Sequence, residues 1–188
     1  MNTPVLAVIA IVIVLLVLVI GFGPVVARRR RLRRRFGPEY DRVVAERPSR
    51  RQAEAELTER ERRVAELKLR DLTEPEQGKY QTRWGELQES FVDSPAEAIA
   101  DAQLLLDSVM RDRGYPVQEY DETLADLSVA HSHALGPYRS ARDVGAQAVS
   151  GQVSTEELRV AMLGYRGLFE ELTGAAPAQA TPAQPARA

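Results

Sequence analysis

Hydrophobic and polar positions divide this chain into three regimes. From Val5 to Ala27 there is no ionisable side chain, and residues 5–20 are only Val, Leu, Ile and Ala. At 1.5 Å per helical residue these 23 residues reach about 34 Å, against a hydrocarbon core of about 30 Å. The pattern predicts a transmembrane helix over 5–27. A cleaved secretory signal is the competing reading, because Val25-Val26-Ala27 has the small residues of a cleavage site. Signal peptides carry positive charge before a shorter apolar core. Here no Lys or Arg precedes the run, and Arg28, Arg29, Arg30, Arg31, Arg33, Arg34 and Arg35 follow it. Gly21, Gly23 and Pro24 are expected to loosen the inner end of the helix.

Beyond residue 35 the period becomes that of amphipathic helices. Phe36-Gly37-Pro38 predicts a break, with Pro38 in the first turn of a helix over 39–46. Tyr80, Trp84, Leu87 and Phe91 recur at steps of four, three and four and share one helical face. Ile99, Ala102, Leu105, Leu106, Val109 and Met110 form a second stripe; Leu158, Met162, Tyr165, Phe169 and Leu172 form a third. Ser49-x-x-Gln52, Thr73-x-x-Glu76, Ser94-x-x-Glu97 and Ser154-x-x-Glu157 have capping-box spacing at predicted helix starts. Gly114 reads as a helix stop, with Tyr115-Pro116-Val117 turning the chain onward. No period-2 run predicts a strand.

The helix expected over 49–69 is different. Its apolar line is thin (Ala53, Leu57, Val64, Leu67), and Arg60 interrupts it. Glu56/Arg60, Glu59/Arg63 and Glu66/Arg70 have the favourable i,i+4 order. It reads as a solvated helix or stalk, with a homodimeric coiled coil through 49–69 as an alternative. After Gly174 the chain to 188 is Ala, Pro, Gln and Thr with one Arg, and disorder is expected over 174–188.

Charge sharpens the division. Residues 1–35 hold seven arginines and no acid, whereas 36–188 hold 18 basic and 27 acidic residues, a net of −9. Juxtamembrane arginine stays cytoplasmic, so the N-terminus (1–4) is expected outside and the helical part inside. The arginines, over 28–35, read as a stop-transfer anchor, with attraction to anionic lipid headgroups as the sharper alternative. Nucleic acid is a poor fit, because the cluster has no interleaved aromatic residues and an acidic region follows.

Candidate chemistry is sparse. With no cysteine, disulfides, thiolate catalysis and Cys-based zinc sites are excluded. Phosphate-binding glycine loops, HExxH, GxSxG and Glu-x-x-His are all missing from the sequence. The two histidines, His131 and His133, read as a partly exposed helix-end or loop pair. Asp101, Asp107 and Asp112 read as the polar side of a helix, with Asp107/Arg111 an i,i+4 pair. Trp84 and its stripe read as core. No catalytic residue, metal ligand or cofactor is assigned.

Arg34-Arg35-Phe36-Gly37-Pro38-Glu39-Tyr40-Asp41-Arg42, Phe91-Val92-Asp93 and Met110-Arg111-Asp112-Arg113-Gly114-Tyr115-Pro116-Val117 together resemble an uncharacterised family of bacterial single-pass membrane proteins. The resemblance covers about residues 33–172. It implies an architecture and no activity. The 23 arginines against 2 lysines suggest a high-GC genome.

The expected fold is all-α: one membrane helix, a helical domain over 36–173 (charged helix 49–69, bundle 74–173) and a disordered tail. The expected function is a non-enzymatic, membrane-anchored module that binds an unidentified protein at the cytoplasmic face of a bacterial inner membrane. An enzyme working near the membrane and an envelope protein with its domain outside are the rivals. For partner docking the best candidate is the turn with Arg111, Arg113, Tyr115, Tyr120 and Asp121. Gly and Pro fix its shape, and Tyr and Arg are enriched at binding hot spots. Against this, Tyr115 and Val117 also fit simple packing under the helix end.

Overall fold

The computed structural model describes residues 25–148, 151 and 153–174, and among these every regular element is a helix. The all-α expectation holds. The membrane helix expected over 5–27 lies outside the described residues except for 25–27, as does the tail except for Gly174. Among the described residues no helix is long and apolar enough to cross a membrane. The helices are α1 (25–36), α2 (Pro38–Glu46), α3 (Arg50–Glu66), α4 (Glu74–Ser90), α5 (Pro95–Asp112), α6 (Tyr120–Leu127), α7 (Ser132–Ala148) and α8 (Thr155–Thr173). They belong to two compact units, residues 1–62 and 63–188, and the boundary falls within α3.

In the first unit Gly37 breaks α1 from α2 at a φ of 47°, and Pro38 opens α2 as expected. Leu32, Phe36, Tyr40, Val43, Ala53 and Leu57 are buried, and Glu39, Glu54 and Arg60 are buried with them. The Tyr40 hydroxyl donates to Glu54 Oε1 at 2.8 Å. Burial and the Glu54 carboxylate push that phenol's pKa up, and Arg29 pulls the other way. Of the thin apolar line of α3, Ala53 and Leu57 are thus buried within this unit.

The second unit is built on the three predicted stripes. All residues of the α5 and α8 stripes are buried, as are Tyr80, Trp84 and Leu87 of α4. Phe91 packs partly buried against this core. Trp84 stacks on Phe169 with ring centroids 4.7 Å apart, and Tyr138 meets Tyr165 edge-on at 5.7 Å. α8 packs on α5 and α7, and α4 packs on α5. The α7–α8 approach is close because Gly164 has no side chain: a Cβ there would stand 2.5 Å from the Pro137 carbonyl oxygen.

Several local expectations are corrected. α3 stops at Glu66 rather than Leu69. In the extended segment that follows, Leu67 and Leu69 alternate toward the core and Leu72 is buried, which continued helix would not allow. Arg70 is therefore not paired with Glu66; it binds Glu76 through both guanidinium nitrogens at 2.8 Å. Arg63 turns to Asp126 at 2.6 Å instead of Glu59, while Glu56/Arg60 forms as expected. The boxes at Thr73 and Ser154 form, with the cap N–H donating to Glu76 or Glu157 at 2.8 Å. Arg70, with Thr73, holds the half-buried Glu76 carboxyl down to about 2. Ser94 makes no side-chain cap bond, because its backbone (φ −137°, ψ 68°) departs from the usual cap conformation. Gln52 N–H reaches Ser49 Oγ at 3.3 Å, so that box is half made.

Candidate functional site

The expected docking turn divides into a buried half and an exposed half. Gly114 stops α5 at a φ of 92°. Tyr115 N–H donates to Met110 O and Gly114 N–H to Arg111 O, both at 2.9 Å, the paired bonds of a glycine-terminated helix. A Cβ on Gly114 would stand 2.6 Å from the Lys68 carbonyl oxygen, so glycine also admits the extended segment beside it. Arg113 faces inward. Its guanidinium donates to Leu172 O at 2.7 Å and Asp71 Oδ1 at 3.0 Å, and its carbonyl accepts from Arg70 N–H at 3.0 Å. Tyr115 is 3% exposed and meets the His131 ring edge-on. Arg113 and Tyr115 thus hold the end of α5 against the end of α8.

His131 belongs to this same support, which corrects the reading of a partly exposed histidine pair. His131 is buried and its Nδ1 lies 3.0 Å from Glu171 Oε2, whereas His133 is exposed. Burial lowers the His131 pKa, with Arg113 acting the same way and Glu171 opposing. Its Nε2 is buried without a hydrogen-bond partner among the described residues. Nothing in a two-residue histidine spacing shows which ring faces inward; that depends on α8 supplying Glu171.

Arg111, Tyr120 and Asp121 are the exposed half. Tyr120 carries the Arg142 guanidinium of α7 over its ring, 4.6 Å from the centroid. Together they flank a cleft of about 140 Å³ between α5, α6 and α7, lined also by Gln103, Asp107 and Tyr138. The expected Asp107/Arg111 pair does not form among the described residues. Asp107 faces this cleft, where burial raises its pKa against the charges of Arg142 and Arg111. The cleft was invisible in the sequence because its charged groups come from different helices with no shared spacing. A second groove, about 260 Å³, runs between α4 and α5 beside Tyr80, Leu87 and the exposed Leu104. Tyr80 closes one end by donating to Asp112 Oδ2 at 2.6 Å.

The arginine cluster is sorted by α1. Arg28, Arg31 and Arg35, at steps of three and four, share the face turned to α3. Arg28 donates to Thr58 Oγ1 at 2.8 Å, and Glu61 receives Arg31 at 2.8 Å and Arg35 at 3.4 Å. Arg33 reaches Asp41 at 3.3 Å. Among the described residues, Arg30 and Arg34 are exposed and form no ion pair, and Arg29 and Arg30 line a shallow cleft with Val26 and Arg33. No group of three or more His, Asp or Glu among the described residues is placed to hold a metal. No family model, curated protein or solved structure matches the chain.

Proposed function

We propose that the chain is a membrane-anchored, non-enzymatic helical module that binds another protein at the cytoplasmic face of a bacterial inner membrane. The observation that carries this reading is the uncharged run from Val5 to Ala27 followed at once by seven arginines. Such a run is long enough to span, and the arginines set its direction. Contact with anionic headgroups falls first to Arg30 and Arg34, which are exposed and without an ion pair among the described residues. Arg28, Arg31, Arg33 and Arg35 must share their charge with Thr58, Glu61 or Asp41. Partner docking falls to Arg111, Tyr120 and Asp121, since Arg113 and Tyr115 serve the interior.

A reporter that works only in the cytoplasm, fused after Leu172, is expected to be active, and one that works only outside is expected to be silent. The reverse result removes the cytoplasmic reading and favours an envelope role. Neutralising Arg30 and Arg34 is expected to weaken the orientation bias while leaving the α1–α3 ion pairs in place.

A further inference from the structure

The cleft between α5, α6 and α7 holds one acidic and one basic side chain that form no ion pair with each other among the described residues. Asp107 and Arg142 both line it, yet among the described residues neither forms an ion pair. Arg142 instead lies over the Tyr120 ring, 4.6 Å from its centroid, a contact that leaves the guanidinium N–H groups available to a carboxylate. Tyr138, packed edge-on against Tyr165, brings a hydroxyl that makes no hydrogen bond among the described residues. Gln103 adds an amide on the same wall as Asp107. A carboxylate and a guanidinium lining the same small cleft match a molecule that carries both complementary charges.

Size limits the ligand. The volume is about 140 Å³, well under the roughly 300 Å³ at which drug-sized sites begin. From this geometry we infer that the cleft is a binding site for a small zwitterion of the α-amino acid type. Its ammonium is directed to Asp107 and its carboxylate to Arg142. Bidentate guanidinium–carboxylate bonding suits Arg142, and the ammonium offers donors to the Asp107 carboxylate, the Tyr138 hydroxyl and the second lone pair of the Gln103 amide oxygen, whose first accepts from the Tyr165 hydroxyl at 3.5 Å. The partly buried Asp107 carboxyl, whose pKa burial raises, gains a counter-charge when the ligand arrives. This site shares Tyr120 with the proposed docking surface, but its ligand contacts, Asp107 and Arg142, are separate from Arg111 and Asp121.

The test is calorimetric titration of the full chain, solubilised in detergent, with glycine and L-alanine, and separately with acetate and methylammonium as half-ligands. Saturable binding of an amino acid is expected, with each half-ligand about tenfold weaker or worse, since each lacks one charge-assisted contact. Asp107→Asn and Arg142→Gln are each expected to weaken amino-acid binding about tenfold or more. No saturable binding up to about 10 mM, a range where binding free energy is already under about 3 kcal/mol, overturns the inference. So does acetate binding as tightly as alanine, which would mark an anion site only. The half-ligand comparison needs no variant and therefore stands even if a substitution disturbs folding.

Discussion

The two units solve the same problem, burying a helix face, with opposite materials. In residues 25–62 six apolar side chains (Leu32, Phe36, Tyr40, Val43, Ala53, Leu57) are buried beside Glu39, Glu54 and Arg60, and arginine–carboxylate pairs line the helices. In residues 63–174 a continuous core of aliphatic and aromatic side chains runs through α4, α5, α7 and α8, with Trp84 on Phe169 and Tyr138 on Tyr165. Apolar burial is worth about 1.5–3 kcal/mol per large side chain, while exposed ion pairs are worth about 0–1 kcal/mol. The second unit should therefore depend on shape, and the first on charge and ionic conditions.

The largest expected effect tests shape dependence. Trp84→Ala in the full chain should cost the second unit about 3–5 kcal/mol, read from denaturant unfolding followed by amide exchange in 63–174. The indole Nε1 is buried without a hydrogen-bond partner among the described residues, so the ring contributes packing and not polar contact. Trp84→Phe should accordingly recover much of the loss, because it keeps an aromatic ring for Phe169 and removes the orphan donor. A cost under about 1 kcal/mol for alanine would mean that the stack is not structural.

Next comes the seam between helix ends. Arg113→Ala removes the bonds to Leu172 O, Asp71 and Arg70 O, and should cost about 1–3 kcal/mol. Arg111→Ala, two residues away and exposed, should stay within about 0.5 kcal/mol. Equal costs would erase the division of the turn into a supporting and an exposed half.

What the sequence made legible follows from this contrast. The stripes of α4, α5 and α8 were readable because burial imposes a 3.6-residue period on uninterrupted helices. α6 and α7 were not delineated, since α6 has eight residues and α7 carries Gly136, Pro137 and Gly145 within its length. The Arg113 clamp and the Asp107–Arg142 cleft depend on residues brought together from separate helices, which no local spacing records. The end of α3 was missed for a physical reason as well. Favourable i,i+4 charges extend the pattern to Arg70, but each pair contributes only a few tenths of a kcal/mol. Turning Leu67, Leu69 and Leu72 toward the second core outweighs that.

A pH effect should appear in the second unit alone. His131 is held neutral by burial, with Glu171 and Arg113 as its charged neighbours and the Tyr115 ring beside it. Its native pKa lies below the ordinary 6.5. The unfolded chain then binds more protons as the pH falls, so stability is fully present above 6.5 and declines below it. Protonation would also place a second N–H at Nε2, where no acceptor is present among the described residues. The unfolding midpoint of 63–174 should fall between about pH 7.5 and pH 5, and His131→Gln should flatten that slope. An unchanged slope in the variant would assign the pH dependence to the carboxylates.

The smallest effect belongs to the first unit and is the one that salt should reveal. Glu61 is the shared acceptor for Arg31 and Arg35, with the arginines about half exposed and the carboxylate largely covered. Glu61→Gln keeps the shape and removes the charge, so the expected cost is about 0.2–1 kcal/mol at low salt. Raising ionic strength to about 1 M shortens the screening length to roughly 3 Å and should bring wild type and variant together. Amide exchange in 25–62 of the full chain reads both arms, with 63–174 as the internal reference. If the variant loses the same amount at low and high salt, Glu61 acts through its hydrogen bonds and packing. If exchange in 63–174 responds to salt as strongly as 25–62, the contrast between a charge-built and a shape-built unit fails. The comparison survives only when the salt response is larger in the arginine-lined helices than in 63–174, whose own ion pairs include Arg70–Glu76.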